Sequence, residues 1–68
     1  MIKVLNKKVL KGITVEFLLN YQSDSNISTW LVITKDSNNS ITEKYEFKYR
    51  DSALEYYDSL LLNILAIS

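Results

Sequence analysis

The groups that carry chemistry in this chain are few, and their spacing decides what they can do. Asp51, Glu55 and Asp58 form the clearest cluster of carboxylates. Carboxylates do acid and base work when burial drives their pKa values apart, but steps of four and three residues put these three on the outer, solvated half of one helix. Nucleophilic catalysis needs Ser, Cys or Thr beside a base, most often His, and the 68 residues include neither Cys nor His. The same absence removes disulfides and thiolate or imidazole metal sites. Asp36, Asn38 and Asn39 offer oxygens of the calcium-binding type without the Gly and bidentate Glu that an EF-hand loop places downstream, so they read as a turn. A phosphate-cradling loop needs several glycines, and Gly12 stands alone. The reading is of a chain that is not an enzyme and takes no cofactor or metal.

What remains is surface and aromatic mass. Tyr21, Tyr45, Tyr49, Tyr56 and Tyr57, with Trp30 and two phenylalanines, supply either stacking platforms for single-stranded nucleic acid or core with hydroxyls at its rim. Tyr45 and Tyr49 share the register of Phe47, and Tyr57 shares that of Leu60 and Ile64, which assigns them to the core. Trp30, and Tyr56 at the margin of the helical stripe, are the aromatic candidates for contact with another molecule.

The elements that position these residues centre on Ile41 to Ile67. Ile41 to Tyr49 reads as a strand with Ile41, Tyr45, Phe47 and Tyr49 inward and Thr42, Lys44, Glu46 and Lys48 outward, Glu43 breaking the inner row. Arg50-Asp51 then lead into a helix from Ser52 to about Ala66. Ser52 and Glu55 have the spacing of a capping box. At about 100° per residue, Ala53, Leu54, Tyr56, Tyr57, Leu60, Leu61, Ile64, Leu65 and Ile67 fill one half of the wheel, with Leu62 misplaced on the polar half. A helix on a sheet needs an apolar stripe only a little over about 100° wide, so one sheet does not consume this arc.

Upstream, Ile13 to Tyr21 alternates: Ile13, Val15, Phe17, Leu19 and Tyr21 on one face, Thr14, Glu16, Leu18 and Asn20 on the other, as a half-buried strand does. Gln22 to Ser28 is a polar loop. Thr29 to Lys35 is a strand apolar on both faces, so that either Trp30 and Val32 or Leu31 and Ile33 lie beside Leu18 on the side away from the helix. An exposed patch of that kind marks an interaction site; a strand buried on both faces within a dimer gives the same pattern. Asp36 to Ser40 forms a hairpin connection in which an Asn takes the left-handed conformation. Ile2 to Leu10 fits neither period, reading as one bent strand or as two arms around a turn at Asn6-Lys7-Lys8. The chain changes direction near Gly12. The fold class is α+β: an antiparallel meander of three or four strands with one C-terminal helix across one face, in a single domain spanning residues 1–68.

Formal net charge is zero, unevenly placed. Lys3, Lys7, Lys8 and Lys11 oppose only Glu16 in the first twenty residues, while the last eighteen carry Asp51, Glu55 and Asp58 alone. No signal-peptide core forms among the early lysines, and Leu60 to Ile67 falls far short of the roughly 20 residues that span a bilayer, so the expected location is cytoplasmic. Phe, Tyr, Met, Ile, Asn and Lys total 28 residues against four for Gly, Ala, Arg and Pro, a bias of AT-rich genomes and of the phages and mobile elements within them.

Trp30, Phe47, Ala53 six residues on, and Tyr57 after it resemble the three-strand-plus-helix pattern of the arm-binding and AP2-like DNA-binding domains of some integrases, over about the last 40 residues. The resemblance implies DNA contact through the outer sheet face. The chain departs from the family where Glu46 and Glu16 offset Lys44 and Lys48 and where the second hairpin has Asn in place of glycine, so the resemblance does not assign the family.

A chain of this length buries only about 60% of its unfolded surface, and no disulfide or metal reinforces it. With 47% hydrophobic residues, the expectation is a core shared between subunits: a homodimeric protein-binding module, an inhibitor of the anti-defence or anti-CRISPR type, acting on a host or phage protein. The alternative is nucleic-acid binding through the outer sheet face. The residues expected at the partner surface are Leu18, Trp30, Val32, Lys44, Lys48, Tyr56 and Leu62.

Overall fold

Chain order and strand order coincide. The computed structural model describes residues 1–66, and in it β1 (Ile2–Leu10), β2 (Ile13–Gln22), β3 (Ile27–Lys35) and β4 (Ile41–Phe47) form one antiparallel sheet in the order 1-2-3-4, followed by helix α1 (Arg50–Ala66). The α+β meander with a C-terminal helix is therefore present, with all four strands.

Each connection has a local cause. Leu10 pairs with Ile13, and the two residues between them, Lys11 and Gly12, both have positive φ (52° and 78°). That is the type I′ geometry that matches the twist of a hairpin, and glycine adopts it without steric cost. The left-handed residue in the third connection is Asn39 (φ 66°). Asp36 organises that turn: its carboxylate accepts from the backbone N–H groups of Asn38 and Ser40 at 2.9 and 3.0 Å. In the second connection Asn26 takes the left-handed conformation (φ 56°), and the Tyr21 hydroxyl donates to its Oδ1 at 2.9 Å.

The segment without a clean period is a single strand containing a bulge. Val4 pairs with Leu18 and Asn6 with Phe17, so Leu5 is the extra residue. A bulge shifts the inside-outside alternation by one, which puts Ile2, Val4, Lys7 and Val9 on one face, a spacing of two, three and two.

The helix begins two residues earlier than the capping box implies. The Ala53 N–H donates to the Tyr49 carbonyl at 3.2 Å, making Tyr49 the residue at the cap, and Ser52 and Glu55 form no capping bonds among the described residues. Asp51, in the first turn, complements the positive end of the helix dipole. Tyrosine is a poor cap; packing overrides it, because only a two-residue link after Phe47 lets both Phe47 and Ala53 reach the core. At the other end, Lys11 Nζ donates to the Leu65 carbonyl at 3.3 Å, a cation where the dipole favours one.

The core lies between the helix and the sheet. Val15, Phe17, Val32, Ala53, Tyr57 and Ile64 are buried there, with Leu54, Tyr56, Leu60 and Leu61 partly buried around them. Leu65, placed on the buried half by the helical wheel, is instead 56% exposed; it sits at the flank of the arc, beyond the reach of β2 and β3. Ile67 lies outside the described residues.

Tyr57 is almost completely buried, its ring centroid 5.7 Å from that of Phe17, yet its hydroxyl meets no hydrogen-bond partner among the described residues. A buried unsatisfied hydroxyl costs about 1–3 kcal/mol. Tyr57→Phe is therefore expected to stabilise the fold, raising the melting temperature by several degrees; a lower melting temperature by calorimetry contradicts this. Burial, and secondarily the charge of Asp58, raise the Tyr57 pKa above the usual 10.0. Since the folded chain holds this proton more tightly than the unfolded one, the contribution is complete below pH about 10 and is lost as pH rises through the folded value. Urea unfolding across that range should show stability falling, and falling less in Tyr57→Phe.

Candidate functional site

The strand register defines two unlike faces. On the helix side, Lys3–Leu19–Trp30–Phe47, Asn6–Phe17–Val32–Tyr45 and Lys8–Val15–Thr34–Glu43 run across the sheet as rows. These rows are apolar at β2 and polar at β1, where the helix leaves the residues of β1 exposed. On the far side the rows are Ile2–Asn20–Thr29, Val4–Leu18–Leu31–Glu46, Lys7–Glu16–Ile33–Lys44 and Val9–Thr14–Lys35–Ile41. No element among the described residues covers this second face.

Leu18, Leu31 and Ile33 form a separate apolar cluster at its centre, at 5%, 3% and 9% exposure. Their low exposure comes from neighbouring side chains, since no layer lies above them. Lys35 pairs with Glu16 at 3.3 Å, and the Thr29 hydroxyl donates to Glu46 at 2.5 Å, so long polar side chains lie over the apolar centre as their stems allow. Outward from that cluster the apolar surface is open: Ile2, Val4 and Val9 on β1 and Ile41 on β4 are all exposed.

The seven residues expected at a partner surface do not come together. Leu18 and Lys44 lie on the open face. Trp30 and Val32 do not: they point to the helix, Val32 at 1% exposure, and Leu31 and Ile33 are the pair beside Leu18. The bulge between Thr34 and Lys35 is the cause, because it sets which residues of β3 stand level with the inward Phe47 and Tyr45. Val32 is therefore core and Trp30 is packed against it. Tyr56 is half-buried over β4, its ring 5.2 Å from Tyr45 and 5.6 Å from Phe47, its hydroxyl 3.5 Å from Glu43. Burial first, then the charge of Glu43, raises its pKa. Lys48 is exposed past the end of β4, and Leu62 is 67% exposed on the back of the helix. The residues that sequence reasoning missed are Ile2, Val4 and Val9, whose alternation the Leu5 bulge hides.

Asp51, Glu55 and Asp58 are all exposed on the helix, and among the described residues no three potential ligands gather to hold a metal ion. No helix among them is long and apolar enough to cross a membrane. A pocket of about 290 Å³ opens beside the C-terminal half of the helix, lined by Ile13, Leu60 and Ile64 with Lys35, Asp36 and Glu43. Comparison of the chain with protein-family models, curated proteins and solved structures gave no match, so its own geometry carries the functional reading.

The Glu16–Lys35 pair tests the character of the open face. Lys35→Met leaves a largely buried carboxylate without its counter-ion and is expected to cost about 1–2 kcal/mol in urea unfolding. Lys35→Met combined with Glu16→Leu should recover most of that loss. Equal stability of the single variant and the parent contradicts the assignment.

Proposed function

We propose that this chain acts by binding rather than catalysis, as a small homodimeric protein-binding module whose two copies meet through the open faces of their sheets. The observation that carries this reading is the β1 face of Ile2, Val4 and Val9: three exposed apolar side chains, with Val4 paired to Leu18 of the Leu18–Leu31–Ile33 cluster, on a face that no element among the described residues covers. An antiparallel sheet tolerates water on one face when that face is polar, and here it is mixed. A protein that works only by occupying a surface acts on its target by obstruction, and a stoichiometric inhibitor of a host or phage protein, of the anti-defence or anti-CRISPR type, is the role we propose for it.

A second reading, nucleic-acid binding, has one specific observation in its favour: Lys3, Lys7, Lys8 and Lys11 are exposed along β1 and its turn, and β1 contains no acidic residue. The form that joins Trp30 to Lys44 and Lys48 on the outer face does not survive, because Trp30 faces the helix. Phosphate contacts make affinity fall steeply with salt, so tight heparin retention, lost on replacing Lys7 and Lys8 by Gln, favours this second reading.

Sedimentation velocity tests the first. The expected particle has twice the chain mass at tens of micromolar. Val9→Glu, on the open face, should dissociate it, and Leu62→Glu, on the back of the helix, should not. A monomer at all concentrations, or dissociation by Leu62→Glu alone, overturns the reading.

A further inference from the structure

The rows of the open face are self-complementary in only one of the two ways that aligned sheets can meet, and that fixes how a second copy docks. Two packed sheets lie about 10 Å apart with their strands nearly aligned, so a two-fold axis between identical faces runs either along the strands or across them. An axis along the strands, between β2 and β3, sets β1 against β4 of the other copy. It brings Lys7 onto Lys44, a like-charge clash repeated by symmetry, and Val4 onto Glu46. An axis across the strands, midway between the Leu18 row and the Glu16 row, sets each strand over its own copy and exchanges the rows in pairs.

The second arrangement brings no two like charges together and sets Lys44 against Glu46. Ile2 meets Val9 and Lys35 comes over Thr29, while Leu18, Leu31 and Ile33, at most 9% exposed, stay beneath their polar neighbours. Asn20 meets Thr14, and Val4 meets the aliphatic stem of Lys7. Glu16 comes over Leu18 already neutralised by Lys35. Lys44 comes over Glu46, twice by symmetry, across a gap that a lysine and a glutamate extended toward each other span. Lys44 has no ion-pair partner in its own chain among the described residues, and Thr29 holds Glu46 through one carboxylate oxygen. With strands about 4.8 Å apart and about 3.3 Å per residue, the four-stranded face covers on the order of 500 Å² per copy. Both copies together bury roughly 1,000 Å², the lower bound of a specific interface.

We infer that a second copy of this chain covers the open face in that arrangement, with reciprocal Lys44–Glu46 pairs fixing the register of the two sheets. This rests on the homodimeric reading above and specifies its geometry. Charge exchange tests it, because both side chains are exposed and neither belongs to the core. In analytical ultracentrifugation, with circular dichroism to verify the fold, Lys44→Glu and Glu46→Lys each weaken dimerisation at least about tenfold. An equimolar mixture of the two variants, in which every facing pair is again opposite in sign, dimerises as the parent does, as does the double variant Lys44→Glu/Glu46→Lys. A parent dimer that Lys44→Glu leaves intact, or single variants that the mixture fails to rescue, overturns this register while leaving dimerisation itself in place. A monomeric parent overturns both.

Discussion

One helix cannot cover a four-stranded sheet, and most of this structure follows from that mismatch. A helix is about 10 Å across, and four strands about 4.8 Å apart are nearly twice as wide. The helix therefore seals β2 and β3, reaches β4 through Tyr56 against Tyr45 and Phe47, and leaves β1 before Leu10 to water on the near side. The sequence of β1 accommodates this, with Lys3, Asn6 and Lys8 on that side. The far side has no covering element among the described residues. The result is a flat molecule, 44 by 24 by 16 Å, with one small core and a second apolar cluster under charged side chains.

The two clusters differ in what completes them. The first is closed by Ala53, Tyr57 and Ile64 of the helix and needs nothing further; its one defect is the unpartnered Tyr57 hydroxyl. The second is closed only at its centre, by Glu16, Lys35 and Glu46, and opens into exposed apolar residues on β1. Edge strands that carry lysines and a bulge resist pairing edge to edge, and β1 has both. Its apolar face rather than its edge is therefore the surface suited to association, and the same lysines keep an otherwise apolar strand in solution.

The legible and illegible parts of the sequence separate along physical lines. The alternation of Ile13 to Tyr21, the helical stripe from Ala53 to Ile64, the Gly12 reversal and the left-handed Asn in the Asp36–Ser40 turn all follow from local periodicity or backbone preference, and all are present. Two bulges account for much of what was not legible, including Ile41, expected inward and turned to the far face. Tyr49, expected in the core, is instead 72% exposed because it lies past the end of β4. The extra residue at Leu5 shifts β1 out of a period-two pattern, so Ile2, Val4 and Val9 do not read as one face. The irregularity at Thr34 and Lys35 decides which side of a doubly apolar strand meets the helix, and no property of Trp30, Leu31, Val32 or Ile33 alone contains that information. The early helix start was hidden for a related reason: Tyr49 is a cap by position in the fold, not by its own chemistry. On the helix, Leu62 and Leu65 are exposed at 67% and 56%.

The account stands or falls on what lies against the open sheet face in solution. The most direct measurement is an isotope-filtered nuclear Overhauser experiment on a one-to-one mixture of labelled and unlabelled chains, which records only contacts between copies. Cross-peaks from the Ile2 methyls to Val9 and from the Val4 methyls to the Lys7 side chain, with none from Leu62 or Leu65, are the predicted result. Intermolecular cross-peaks confined to the helix, or none at any concentration, would show that the sheet face is not where copies meet.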